Sequence, residues 1–150
     1  MNSVKNVNAQ NISKNRISKA FENKKAFIAF ITGGDPDIET TEKLIPAMAE
    51  AGADLIEIGI PFSDPVAEGP VIQEADYRAL VGGVTTDMIF GMVEEIRKES
   101  GIPLAFMTYA NPIYTYCTER FMSNCKKVRI DAVIVPDIPF EERQEIKPYC

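Results

Sequence analysis

Four short apolar runs, spaced by stretches of helical periodicity, limit what this chain can fold into more than any other feature. They occupy residues 26–32, 54–60, 103–109 and 130–136. Each is apolar nearly throughout rather than alternating, the pattern of strands covered on both faces. The intervening residues predict helices at 37–51, where Leu44, Ile45, Met48 and Ala49 form one face and Gly52 ends it, and at about 71–81. Another is capped by Thr85 or Thr86 and ends near Gly101, and a further one covers about 118–127. A helix at about 12–23 precedes the first strand, residues 1 to about 10 read as loosely attached, and a last helix starts near Phe140 and stops at Lys147-Pro148. Asn111-Pro112 is expected to break the third strand. A strand–helix unit repeated four times is the mark of a parallel α/β protein. Gly33-Gly34 lacks the spacing of a dinucleotide or phosphate loop.

The second run carries a charge in its middle, Leu55-Ile56-Glu57-Ile58-Gly59-Ile60. An ionised carboxylate in an apolar strand is costly unless it is paired, protonated or used. Glu57 is therefore either bonded to a lysine or arginine, or a functional acid made more basic by its surroundings. Directly after it, residues 61–70 form a loop stiffened by three prolines and carrying Asp64 and Glu68. The unusual residues, Glu57, Asp64, Glu68, Tyr109, Asn111 and Asp137, all fall on strands or just beyond their C-terminal ends, where a (β/α)8 barrel keeps its chemistry. Such a barrel takes ~250 residues. The 150 residues here supply an N-terminal helix and the first four βα units, a single domain matching the N-terminal half of a barrel. It is either a half barrel or a truncated copy of something longer, and its first and fourth strands would present open edges.

Composition narrows the chemistry. The chain has no histidine, which excludes a Ser-His-Asp triad, a histidine base and the usual Cys/His zinc sites. No metal site is expected. The three cysteines, Cys117, Cys125 and Cys150, lack CxxC spacing and read as inert thiols in a reducing cytoplasm. The net charge of −6, with no basic run longer than two residues, argues against nucleic acid or an anionic membrane as partner. No apolar run approaches the ~20 residues of a membrane helix.

The stretch from Leu55 to Gln73, LIEIGIPFSDPVAEGPVIQ, resembles the signature of the tryptophan synthase alpha subunit. Phe30-Ile31-Thr32-Gly33-Gly34-Asp35-Pro36, Met107-Thr108-Tyr109-Ala110-Asn111-Pro112 and Val135-Pro136-Asp137-Ile138-Pro139 also resemble that family, in the order of the first half of its barrel. The resemblance implies retro-aldol cleavage of indole-3-glycerol phosphate to indole and glyceraldehyde 3-phosphate, with no cofactor in this chain. It implies a pyridoxal-phosphate beta subunit as partner in an alpha2beta2 assembly. Glu57 takes the place of the acid that protonates indole C3. Glu68 falls where the family has aspartate, a departure that moves the carboxylate by about an ångström or more, given C–C bonds of ~1.5 Å.

The resemblance further puts Phe30 and Met107 in the indole pocket, although both also read as core side chains, and Tyr109 either in the pocket or packed at the rim. It sets Asp64, Pro61, Asn111 and Asp137 at the partner interface. Simple turn roles remain open for Asp64 and Asn111, and a turn or loop-anchoring role for Asp137. Glu68 has the alternative of a solvated loop acid. The family's phosphate-binding strands and its mobile sixth loop have no counterpart here, so 150 residues alone are expected to have negligible lyase activity. Two other readings are a non-catalytic module that binds the beta subunit and a stand-alone lyase. A Schiff-base aldolase would need a lysine at a strand end, and none of the four strand cores contains one.

Overall fold

The computed structural model describes residues 15–150. The loosely attached N-terminus and the start of the helix expected at about 12–23 lie outside the described residues. What is described of that helix is α1 (Arg16–Ala20), capped by Asn15, whose side chain accepts the Ser18 N–H.

The strands β1 (Ile28–Thr32), β2 (Leu55–Gly59), β3 (Leu104–Met107) and β4 (Ala132–Ile134) form one parallel sheet in the order β1-β2-β3-β4. Helix α2 (Ile38–Glu50) connects β1 to β2, and α3 (Pro70–Val81) and α4 (Thr86–Glu99) connect β2 to β3. Helices α5 (Ala110–Tyr116) and α6 (Thr118–Lys127) lead to β4. Side-chain caps start the longer helices as the sequence suggests. Asp37 accepts the Thr40 N–H at 2.7 Å to open α2, and Thr85, rather than Thr86, accepts the Met88 N–H to open α4. Pro70 occupies the first position of α3, where a missing N–H costs nothing.

The core lies between the helices and the outer face of the sheet. Ile56, Ile58, Leu104 and Phe106 point outward and pack under Ile45 of α2, Ile89 and Val93 of α4 and Phe121 of α6. Phe90, Phe106, Tyr116 and Phe121 form a cluster of edge-on and tilted rings. On the floor of the sheet, Asp131 accepts from Arg16 Nε at 2.7 Å, Arg97 Nη2 at 3.0 Å and the Leu104 N–H at 2.9 Å. That network ties α1, α4 and the turn before β4 to the start of β3. Burial lowers the Arg97 guanidinium to about 10, with the neighbouring Arg16 charge adding to the effect.

Three expectations are corrected. The strands are not covered evenly on both faces: helices cover the outer face, whereas the inner face buries Thr32, Leu55 and Ala105 but leaves Ile28 and Ile134 on its outer strands exposed. β3 ends before Asn111-Pro112, but the stretch ahead of the helix expected at 118–127 is itself a helix, α5, which the sequence reading did not include. Asn111-Pro112 lies in the first turn of α5, where backbone N–H groups have no helical acceptor and proline is tolerated. The last helix is two short 3₁₀ turns, Phe140–Glu145 and Lys147–Tyr149.

Candidate active site

The inner face is set by strand periodicity: residues 28, 30 and 32, then 55, 57 and 59, then 105 and 107 share it. Glu57 sits at its centre, paired in register with Phe30 on one side and Ala105 on the other. It is half-buried and, among the described residues, its carboxylate has no hydrogen-bond or ion-pair partner. Among the described residues, the lysine- or arginine-paired alternative is therefore not realised. The apolar enclosure expected around it is partial: Phe30 and Ala105 flank it, and the residue stays only half-buried.

One register step beyond Glu57, a small cavity opens toward the C-terminal end of the sheet. Phe30, Gly59, Ile60, Met107, Thr108 and Tyr109 line it from the strands and strand ends, Glu68 from the following loop, and Ile72 and Asp76 from α3. It has about 10 Å³ of room for the centre of a water molecule, enough for one. Gly59 is what lets Phe30 lie across this wall. A Cβ there would stand 2.7 Å from Phe30 Cζ.

Tyr109 holds Glu68 in place. Its hydroxyl donates to Glu68 Oε2 and accepts the Ala67 N–H at 2.9 Å, while its ring stacks at a tilt on Phe62, 5.4 Å between centroids. Burial, and then the bond to Glu68, raises the Tyr109 hydroxyl pKa. Gln73 adds a bond from its side-chain amide to the Glu68 carbonyl at 2.8 Å. Glu68 is thus fixed at both its carboxylate and its backbone rather than left solvated.

The four residues assigned to a partner surface do not behave alike. Pro61 and Asn111 line a shallow surface hollow together with Phe62, Pro112 and Tyr116. Asp64 is exposed nearby and accepts from Ser63 Oγ at 2.5 Å. Asp137 is turned onto the start of α5, its two carboxylate oxygens accepting the Ala110 N–H at 3.0 and 3.2 Å, an anchoring contact between the loops after β3 and β4.

Asp76 went unnoticed among the motifs. It is 6% exposed, and desolvation pushes its carboxyl up to about 6 against the lowering effect of the Phe62 N–H. A signal for it exists in the sequence: Ile72, Ala75, Asp76 and Ala79 make the inward stripe of α3, so an acid stands where an apolar residue is due. Among the described residues, no cluster of three acids or cysteines could hold a metal ion, and no helix is long and apolar enough to cross a membrane. All three cysteines are free, and burial pushes the Cys125 thiol up to about 12.

The family model for the tryptophan synthase alpha chain matches residues 17–150. Among curated relatives, the tryptophan synthase alpha chain of Bacillus anthracis is 52% identical over 134 residues, covering 89% of this chain and 52% of its own. That of Lacticaseibacillus casei is 47% identical over 133 residues, covering 89% and 50%. The chain thus spans about half the length of the curated relatives it matches. Among solved structures, the tryptophan synthase subunit alpha of Legionella pneumophila str. Paris superposes with a TM-score of 0.87 at 39% identity, over 91% of this chain and 55% of that one. A chain of the tryptophan synthase a2b2 complex of Pyrococcus furiosus superposes at 0.79 and 40% identity, over 83% and 50%.

Proposed function

The chain belongs to the tryptophan synthase alpha chain family, and on that premise we propose that it carries the two acids of an indole-3-glycerol-phosphate lyase. The observation that bears most weight is Glu57, without a partner among the described residues, on the same inner face as the Phe30–Gly59–Met107 wall that Glu68 faces from the following loop.

In this reading the indole ring lies against Phe30 and Met107. Glu57, in its protonated form, delivers a proton to C3 of the ring. That step makes C3 tetrahedral and leaves an iminium charge on the ring nitrogen. The Glu68 carboxylate, fixed by Tyr109, accepts the ring N–H and stabilises the developing charge. Glu57, now ionised, removes the proton of the adjacent glycerol hydroxyl. The electrons of the breaking C3–carbon bond return to the ring, restoring neutral indole, and the hydroxyl carbon becomes the aldehyde of glyceraldehyde 3-phosphate. The mechanism uses only these side chains and requires no cofactor in this chain.

The partner in this reading is a pyridoxal-phosphate beta subunit in an alpha2beta2 assembly, meeting the hollow of Pro61, Phe62, Asn111 and Pro112. Asp64 lies close enough in sequence to take part, whereas Asp137 serves the contact through the loop it anchors. Free cysteines are in keeping with a cytoplasmic setting.

The test is release of indole from indole-3-glycerol phosphate by a polypeptide carrying these residues. Glu57→Gln keeps shape and polarity but removes the proton, and turnover should fall at least ~10²-fold. A rate near that of the unmodified protein would show that another group supplies the proton. Glu68→Asp should hold or raise activity if the shorter acid of the family is the preferred geometry.

A further inference from the structure

At the end of the sheet away from the candidate acids, where the strands begin, lies a hollow of about 260 Å³ that the lyase reading leaves unused. Arg16, Lys19 and Ala20 of α1 form one side, and Asp54 before β2 and Gly101 and Pro103 before β3 form the other. Its wall is cationic. Asp54 is the one acid on it, and both of its oxygens are engaged, one by the Lys24 ammonium and the other by the Phe27 N–H at 2.9 Å. Behind the wall, Asp131 faces Arg16 at 2.7 Å and Arg97 at 3.0 Å. Arg129 joins them: its carbonyl accepts from Arg16 Nη2 at 2.8 Å, and its own Nη2 donates to the Arg97 carbonyl at 2.9 Å. Three guanidiniums thus meet around a single carboxylate. The crowding is felt at Arg97, which burial and then the Arg16 charge lower to about 10. Two cations on the wall keep donors to spare. Arg16 engages Nε and Nη2 in this network and leaves Nη1 without an acceptor among the described residues. Lys19 is exposed, and its ammonium has no partner among the described residues.

We propose that this hollow binds a small phosphoryl dianion, free phosphate or a phosphate monoester, between the Arg16 guanidinium and the Lys19 ammonium. The two side chains stand at i and i+3 on α1, where Cβ atoms lie roughly 5–6 Å apart and like charges repel. One tetrahedral anion between them reaches both and replaces that repulsion with two charge-assisted bonds. Arginine supplies directed donors and lysine a point charge, a combination suited to phosphate. The charge also matches: two cations without an acid of their own on the wall face an anion of about −1.5 to −2 at pH 7. An extended polyanion does not fit, because the chain carries a net charge of −6 and no long basic run. The hollow has room for a phosphoryl group and a small substituent, given ~30 Å³ for each water-sized group. Occupancy would add to the hold on α1, since Arg16 also bonds Asp131, which accepts the Leu104 N–H at 2.9 Å at the start of β3. The site shares no residue with the Glu57–Glu68 face, so it stands or falls independently of the lyase reading.

The experiment titrates the chain with inorganic phosphate at pH 7 and follows its amides by NMR, with sodium chloride adjusted to hold the ionic strength constant. The amides of Arg16–Ala20, Gly101 and Ile102 should shift and saturate, while those of Glu57, Ala67 and Tyr109 stay in place. Lys19→Gln, at an exposed position that leaves the fold intact, should weaken binding about 10-fold, the scale of one charge-assisted hydrogen bond. Lys19→Arg should retain it. Arg16→Lys keeps a charge opposite Asp131 but loses the fork, and should also weaken binding. Acetate, with a single charge, should bind more weakly than phosphate. Methyl phosphate separates the two sources of the dianion: binding of both assigns the site to a monoester, and binding of free phosphate alone assigns it to the ion, either of which supports the site. Shifts that fail to saturate, an affinity unchanged in Lys19→Gln, or acetate bound as tightly as phosphate overturns the proposal.

Discussion

Replacing Tyr109 by phenylalanine isolates the contribution of one hydroxyl to the geometry of the candidate site. The ring stays, and with it the stacking on Phe62. Two bonds go: the donation to the Glu68 carboxylate and the acceptance of the Ala67 N–H. A hydrogen bond to a charged group is worth ~1.5–3 kcal/mol and one between neutral groups ~0.5–1.5 kcal/mol. Ala67 is exposed, so water replaces its acceptor and that bond counts at the low end. Glu68 is half-buried, so its bond counts in the lower part of its range. The expected loss is about 2 kcal/mol, concentrated in the loop.

Amide exchange reads that loss locally. At 1.4 kcal/mol per factor of ten, Ala67 should exchange ~30-fold faster in Tyr109→Phe, while amides of β2 and α4 change little. A pH series adds a second arm. The folded state raises the Tyr109 pKa above its ordinary value of 10.0, so it favours the neutral phenol. The stabilisation is complete below the unfolded pKa and is lost as pH rises through the folded one. The difference in stability between the unmodified protein and Tyr109→Phe should therefore narrow above about pH 10. An Ala67 exchange rate that changes less than ~2-fold, well under one hydrogen bond's worth, would refute the claim that Tyr109 fixes this loop.

Two further predictions concern the sheet. Asp131→Asn removes the one carboxylate that, among the described residues, pairs with Arg97, whose side chain is 3% exposed, and should destabilise the chain by about 3 kcal/mol in urea unfolding, the low end for breaking a buried pair because Arg97 keeps its bonds to the Ile102 and Arg129 carbonyls. A change below ~1 kcal/mol would mean those carbonyls suffice. Gly59→Ala puts a Cβ 2.7 Å from Phe30 Cζ and should cost ~1–3 kcal/mol by overpacking, with a displaced Phe30 ring visible in aromatic NMR shifts. An unmoved ring at no cost would contradict the close approach.

Much of the architecture was legible because it rests on local rules. The apolar runs became β1 to β4 with no end trimmed by more than two residues, and Asp37, Thr85 and Pro70 started their helices as their chemistry requires. The misreadings have a common cause. Asn111-Pro112 marks the end of a strand, yet the same pair also suits the first turn of α5, which opens at Ala110 with its N–H bonded to Asp137 from the loop after β4. The apolar β1 and β4 read as doubly covered, but coverage depends on what packs against them. The bond from Tyr109 to Glu68 spans 41 residues, and no pattern in the chain announces it.

The sequence alone determined the order of the strands and of every helix but α5, the absence of histidine chemistry, the placement of acids at strand ends and the family. These follow from composition, periodicity and contiguous motifs, which act within a few residues. The tertiary structure alone decided that Glu57 has no partner among the described residues, that Tyr109 clasps Glu68, and that Asp76 shares their cavity. Such facts depend on the sheet bringing β1, β2, β3 and α3 to one place. The cost of charging an acid is set by what surrounds it in space rather than along the chain.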